Sequence, residues 1–246
     1  MCNFARGGRG FMRYSGIRDG LFIRRINRFV AEVDIDGSTE KVHVKNTGRL
    51  ADWLVSGRRV ALADAGRDQP GRKTRYSLIA AERQGGWVNI DSQAPNAVIH
   101  EALQAGRIVE LPSVRSLRRE AAFGGSRFDF HFDDGVREGF IEVKGVTLER
   151  GGTALFPDAP TARGARHLEE LAKAAESGYA AFVIFLVQME GCLRFAPHEA
   201  EDPRFAEALR QAARAGVRIL AYDSVVSADE IVIGGPLPVT GVLPPP

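Results

Sequence analysis

The residues best suited to chemistry lie between Arg127 and Gly145. The alternation Arg127, Phe128, Asp129, Phe130, His131, Phe132 predicts a strand with three phenylalanines on one face and Asp129 on the other. Asp134-Gly135 is a two-residue turn signal, and a hairpin closed there pairs residue i with residue 269 − i. Asp129 then faces Phe140, and Glu142 becomes its diagonal neighbour, with β-carbons roughly 7–8 Å apart. Two carboxylates at that separation can reach one metal ion. Lys144 falls on the same face, while Ile141 and Val143 pack behind with the phenylalanines. Two hard oxygen donors and an ammonium around one point suit Mg²⁺, with Mn²⁺ as the alternative, because such ions take oxygen ligands and keep waters. A metal-acidified water, held or supported by a lysine, is an arrangement for phosphodiester hydrolysis. The same spacing also describes a solvated hairpin face with one ion pair, and Phe140 on the chemical face makes the argument sensitive to register.

A second group follows at Thr161–His167. Thr161 or Ala162 starts a helix whose free N–H groups favour a phosphate, and Arg163 and Arg166 add donors in its first turn. Cations are disfavoured at a helix N-terminus, so an anion there relieves the conflict. Arg163 could equally pair with Asp158 or Glu169, and His167 reads as a structural histidine more readily than a catalytic one. Glu101, on an earlier helix, is a weaker candidate for a third carboxylate.

The elements that must position these groups divide the 246 residues in two. From Leu21 to Ile90, short β-rich runs (28–35, 40–44, 59–64, 75–81 and 87–90) alternate with turn residues, Asp36-Gly37 being a hairpin signal. About five strands in about seventy residues predict a small barrel of the oligonucleotide-binding type or a compact sandwich. From Ala94 the period changes: a helix over 96–105 with Asn96 as cap, strands over 113–123, 126–132 and 139–146, a helix over 162–177, a buried strand over 180–188, a short strand over 192–196, a helix over 203–215 and a strand over 217–222. This half is α/β. The expected units are an N-terminal extension over 1–20, a barrel over 21–92, an α/β domain over 93–233 and a Pro/Gly-rich tail over 234–246, with both ends expected to be mobile.

Net charge is only +2, but residues 1–90 hold 17 Lys+Arg against 9 Asp+Glu, a balance of +8, while residues 91–246 hold 16 against 22, a balance of −6. An arginine-rich small domain suggests a polyanionic partner, although solubility alone explains such a balance as well. In the barrel half Arg24, Arg25, Arg28, Arg49 and Lys73 are interleaved with Phe22, Phe29, Trp53 and Tyr76. Phosphate contacts with base stacking are how such barrels hold single strands, and the small core must claim most of the aromatics. Two cysteines, Cys2 and Cys192, make neither a disulfide framework nor a four-cysteine zinc site, so a reducing cytoplasm fits best. The most apolar run, Tyr179–Met189, is eleven residues against the roughly 20 of a membrane span. An acidic α/β half with an edge strand is a candidate for homodimer formation.

The strand pattern Asp129, Glu142-Val143-Lys144, set after one helix and before another helix and a buried strand, resembles the core of the restriction-endonuclease-like nucleases. The segments Gly139–Leu148 and Phe156–Leu171, with Asn46-Thr47-Gly48-Arg49, Asp202–Ala206 and Gly216-Val217, resemble the sugar fermentation stimulation protein A family over nearly the whole chain. Gly145 departs from the small polar residue expected after the lysine. The resemblance implies an oligonucleotide-binding-type barrel followed by a nuclease-like domain, DNA binding as the attributed activity, and a regulatory association with sugar metabolism, notably maltose. The expected mechanism has Asp129 and Glu142 holding Mg²⁺, Lys144 positioning the attacking water and Thr161–His167 anchoring the phosphate. A regulator that only grips the backbone, an active DNA nuclease, and an RNA-binding or RNA-processing protein all remain open at this point.

Overall fold

A computed structural model describes residues 12–66 and 73–242. Strand β1 (Met12–Arg13) precedes β2 (Ile17–Asn27), β3 (Val30–Ile35), β4 (Ser38–Val44), β5 (Arg59–Asp64), β6 (Tyr76–Arg83) and β7 (Gly86–Asn89). The sheet runs β4-β3-β2-β5-β6-β7, and a parallel pairing of β4 with β6, His43 with Ser77 and Val44 with Leu78, closes β2–β6 into a five-stranded barrel. The β3–β4 hairpin turns at Asp36 and Gly37 with φ of 53° and 81°, the conformation this residue pair tolerates best. Phe22, Val33, Val42, Val60, Leu62 and Leu78 fill the interior.

The rest of the chain is α1 (Ala94–Gln104), β8 (Ser116–Phe123), β9 (Ser126–Asp133), β10 (Glu138–Val146), β11 (Leu148–Arg150), β12 (Thr153–Phe156), α2 (Ala162–Glu176), β13 (Ala180–Val187), β14 (Arg194–Pro197), α3 (Pro203–Arg214), β15 (Arg218–Val226) and β16 (Glu230–Pro236). A mixed seven-stranded sheet, β1-β16-β15-β13-β10-β9-β8, forms its centre, with β10, β13 and β15 parallel. β13 is apolar along its length because it is covered on both faces. Ile184 and Leu186 pack in the cluster with α1, and Val183, Phe185 and Val187 in the cluster with α2 and α3. Leu168 and Leu171 on α2 are wholly buried, each contributing about 1.5–3 kcal/mol. Helices α2 and α3 are capped by Thr161 and Asp202, whose side chains accept from the N–H of Gly164 and Phe205.

Four expectations are corrected. Met12–Arg13 pairs with β16, and Ile17–Gly20 already belongs to the barrel, so the N-terminal extension ends before residue 12. The C-terminal segment is packed: Leu237 N–H bonds Ala221, Phe195 N–H bonds Pro238, Thr240 N–H bonds Phe195, and Val242 is buried. Residues 1–11 and 243–246 lie outside the described residues. Asn96 does not cap α1, which begins earlier, with Gln93 at the N-cap and Pro95 in the first turn. Finally, the β9–β10 turn spans four residues. Asp134 Oδ1 accepts from the N–H of Val136 and Arg137, and the register becomes Phe140 with His131 and Ile141 with Phe130.

The two domains are pinned together around Asp91, which is fully buried. Its carboxylate accepts from Lys45 Nζ at 2.6 Å, from Tyr14 Oη at 3.3 Å and from Gln93 N–H at 2.9 Å. Gln188 donates to Asn89 and to Asp91 O, and Trp53 Nε1 donates to Thr147 O across the junction at 2.6 Å. Removing Lys45 leaves a buried carboxylate without its counter-charge, so Lys45→Ala is expected to lower stability by about 3–5 kcal/mol. Urea denaturation measures this, and a loss under about 1 kcal/mol would contradict the role assigned to the pair.

Candidate functional site

Asp129, Glu142, Lys144, Arg163 and His167 line one open cleft of about 520 Å³ at the mouth of the α/β sheet, with Asn96, Arg127 and Gly145 on its walls. The corrected register accounts for this convergence. Carried one residue beyond Ile141–Phe130, it brings Asp129 level with Glu142. There the ladder stops, and Asp129 Oδ2 takes the Val143 N–H at 2.8 Å in place of a strand carbonyl. On the other side of β9, Glu120 comes level with Asp129 and has φ of +53°. Across this irregularity the strand changes faces: Phe130 and Phe132 pack in the α1 cluster, while Phe128 packs with Phe140 in the α2 cluster. The three phenylalanines therefore do not share a face. Phe140, the awkward member at sequence level, packs against Phe128 and His131 rather than facing Asp129.

Glu142 is almost completely buried and is compensated on one oxygen. Its Oε1 meets Lys144 Nζ at 2.5 Å and His167 Nδ1 at 2.5 Å, while its Oε2 is buried with no hydrogen-bond partner. Burial pushes this carboxyl up, but the His167 hydrogen bond and the Lys144 charge outweigh it and hold the group below the ordinary glutamate value. Asp129 behaves oppositely. Burial, then the Glu142 charge, push it up to about 6, against the Val143 N–H, Lys144 and an Asn96 hydrogen bond of 2.7 Å to Oδ1.

The donor set fits a hard divalent ion. Glu142 Oε2 is an unused buried acceptor, and Asp129 carries a carboxylate whose ionisation lacks full compensation. No group of three or more His, Cys, Asp or Glu side chains able to hold a metal occurs among the described residues. Two protein carboxylates still suffice for Mg²⁺, which usually binds through one or two carboxylates and completes its shell with water and substrate phosphate.

The other sequence candidates are distributed unevenly. Thr161 is the α2 cap: its Oγ1 accepts from Gly164 N–H and its own N–H bonds Asp202, which leaves the N–H groups of Ala162 and Arg163 without a protein partner. Arg163 is exposed, and among the described residues its side chain hydrogen-bonds His167 at 3.4 Å rather than pairing with Asp158 or Glu169. In the barrel, Arg25 is not a free cation. Its guanidinium donates to the carbonyls of Asn27, Arg28, Asn46, Gly48 and Arg49, so its donors are spent bracing the backbone. Arg24 pairs with Glu32 and Arg49 with Glu201, whereas Arg28 and Lys73 have no side-chain partner among the described residues. Of the four aromatics, Phe22 and Tyr76 are buried, Trp53 is half-buried and Phe29 is exposed. Glu101 lies near Met12 and Glu230 and does not join the cleft. Asn96 was missed as a site residue; Pro95 is the signal that the helix starts earlier and that Asn96 sits inside its first turn.

A closed five-stranded barrel joined to a mixed-sheet α/β domain with a paired-carboxylate cleft defines a two-domain class. A family model for the SfsA N-terminal OB domain matches residues 23–90, and one for the sugar fermentation stimulation protein RE domain matches residues 93–230. The chain belongs to the sugar fermentation stimulation protein family. It is 46% identical over 227 residues to a sugar fermentation stimulation protein homolog of Alkaliphilus oremlandii, covering 91% of this chain and 96% of that one. It is 47% identical over 223 residues to the homolog of Desulfitobacterium hafniense, again covering 91% and 96%. A solved structure of Pyrococcus furiosus SfsA, described as a complex with Ca²⁺, is similar with a TM-score of 0.86 at 33% identity, covering 94% of this chain and 99% of that chain.

The raised Asp129 value carries a stability consequence. Relative to an ordinary aspartate, this group favours the folded state fully below about pH 4, and that contribution is lost as pH rises through about 6. At neutral pH the charge is therefore a burden on the cation-free chain. Asp129→Asn is isosteric, and a flip of the Asn96 amide restores both hydrogen bonds. In EDTA at pH 7 the variant is expected to be about 1–3 kcal/mol more stable than the parent. In millimolar Mg²⁺ the parent should gain melting temperature and the variant should not. A variant less stable than the parent in EDTA would contradict this electrostatic reading.

Proposed function

We propose that this chain is a cytoplasmic nucleic-acid-binding protein, with DNA as the preferred polymer, whose α/β domain is a restriction-endonuclease-like site that hydrolyses phosphodiester bonds with Mg²⁺. The observation that carries the reading is the convergence of Asp129, Glu142 and Lys144 on one cleft, with Glu142 Oε2 left unpartnered. The Ca²⁺ in the Pyrococcus furiosus relative supports divalent-cation binding in the family. Asp129 and Glu142 are the residues that would hold the ion, which when bound supplies a more acidic water and neutralises charge on the phosphate.

The chain's own groups do the rest. His167 and Lys144 hold Glu142 ionised and fix its rotamer through Oε1, which leaves Oε2 as the unused acceptor. Lys144 is the one ammonium at the cleft among the described residues, placed to hold the attacking water and to take up developing negative charge. Arg163 and the unpaired α2 N–H groups of Ala162 and Arg163 offer donors to a phosphate oxygen. Asn96 and the Val143 N–H orient Asp129.

A second reading is a non-catalytic DNA-binding regulator of sugar metabolism that uses the same face to grip the backbone. One observation favours it: Lys144 is spent on Glu142 rather than free in the cleft.

Two measurements test these readings. Cleavage of labelled DNA and RNA oligonucleotides in Mg²⁺ or Mn²⁺ should fall at least about 100-fold in Lys144→Ala and in Glu142→Gln. Equal activity of parent and variants, or none in the parent, would leave only the regulator reading. In salt-dependent binding, Arg28→Ala should reduce the slope of log affinity against log salt by about 1. Arg25→Ala should lower stability instead, because its donors serve the fold. An unchanged slope for Arg28→Ala would remove the barrel rim from the binding surface.

A further inference from the structure

Beside the catalytic cleft lies a second cavity of about 410 Å³ between the domains, and Ser92 and Gly145 line both. Its walls come from the barrel through Arg28, Asn46, Thr47 and Gly48, and from the α/β domain through Phe156–Thr161 and Gln188. Gly145 stands on the wall that the two spaces share. A β-carbon there would collide with Gln188 Oε1 and approach Pro95 Cγ at 2.7 Å, so the residue that departs from the expected small polar type stands where any side chain is excluded.

The second cavity has a defined chemistry. Asp158 lines it with no hydrogen-bond partner and no close ion pair for its carboxylate among the described residues, although it feels the charge of Arg25, whose own donors are taken by carbonyls; it lies so close to Gly48 that a β-carbon on that glycine would overlap Asp158 Oδ2. Asn46 uses its amide oxygen to accept from Gly48 N–H, leaving its amide nitrogen as a free donor. Arg28 stands unpaired at the barrel side. A free carboxylate repels a phosphate and seeks N–H or O–H donors, whereas Arg28 seeks an anion. Donors and an anion in one ligand describe a nucleotide: amino or imino groups on the base or hydroxyls on the sugar for Asp158, and a backbone phosphate for Arg28.

We propose that this interdomain cavity is a nucleoside-binding subsite that takes one unpaired nucleotide of the strand whose phosphate enters the neighbouring cleft, with Asp158 accepting from the base or sugar and Arg28 meeting the flanking phosphate. At the lower end of the roughly 300–1,000 Å³ range of small-molecule sites, the cavity has room for one nucleoside but not for a base pair. The subsite therefore selects single strands and frayed ends over intact duplex. The proposal rests on the nucleic-acid reading above but not on cleavage.

The test is binding of the full chain, by fluorescence anisotropy in Ca²⁺, to labelled single-stranded DNA, the matching RNA and blunt duplex of one sequence. The parent should bind single strand at least about tenfold more tightly than duplex, the margin that loss of a nucleotide subsite would cost. Thr47→Trp, an exposed substitution that fills the cavity, should abolish that preference while leaving duplex binding within about twofold. Asp158→Asn should weaken single-strand binding about five- to tenfold. A loss for RNA alone assigns the donor to the 2′-hydroxyl, and a loss that is larger for oligo-dC than for oligo-dT assigns it to the base amino group. Melting curves check that both variants fold. Equal affinity for single strand and duplex, or variants that bind single strand like the parent, overturns the subsite while leaving nucleic-acid binding intact. Absence of binding to every polymer overturns both readings.

Discussion

A carboxylate removed from water needs hydrogen bonds and counter-charge, and where the β9–β10 ladder stops Glu142 leaves one oxygen without a donor while burial and the Glu142 charge leave Asp129, hydrogen-bonded on both oxygens, easier to protonate. Glu142 is held ionised through one oxygen by Lys144 and His167, while the other faces no donor. Asp129 replaces a strand carbonyl and carries a proton more readily than an ordinary aspartate. The architecture around them serves this arrangement. The α1 start supplies Asn96, α2 supplies His167 and Arg163, and the buried β13 fixes β10 from Gly139 to Val146 through eight paired residues. Glu142 and Asp129 together thus form a local electrostatic deficit of the kind that a cation or added hydrogen-bond donors relieve. This is the usual relation between a functional site and the stability of its scaffold.

The barrel contributes differently from what its charge alone suggests. The +8 balance of residues 1–90 includes Arg25, whose donors are consumed by five carbonyls, and Arg24, Arg59 and Arg75, each paired with a nearby carboxylate. Arg28, by contrast, lines the interdomain cavity with no ion pair among the described residues. The Asp91 network, with Lys45 from the barrel and Gln188 from the α/β domain, sets the geometry of that cavity. No helix among the described residues is long and apolar enough to cross a membrane.

Much of this was legible in the sequence, for reasons that differ by residue. Asp36-Gly37 declares a turn through local chemistry, the helix starts at Thr161 or Ala162 and at Pro203 fall where expected, and the eight-residue apolar run of β13 declares a strand with two covered faces. The hairpin register was not legible, because Asp134-Gly135 has the residues of a two-residue turn yet the Asp134 side chain binds the N–H groups of Val136 and Arg137 and lengthens it. That two-residue shift turned a diagonal Asp129–Glu142 relation into a direct one. The face change at Asp129 depends on the unusual φ of Glu120, for which the sequence holds no sign. Charge counting could not separate a guanidinium that meets phosphate from one that meets carbonyls, as Arg25 does.

The most direct test of the central claim is a crystal structure of the chain soaked in Mn²⁺, with the ion located by its anomalous scattering. The account predicts one strong peak in the Asp129–Glu142 cleft, within about 2.0–2.3 Å of Glu142 Oε2 and an Asp129 carboxylate oxygen. A cleft free of Mn²⁺ at saturating concentration, with Glu142 Oε2 still unpartnered, would contradict it.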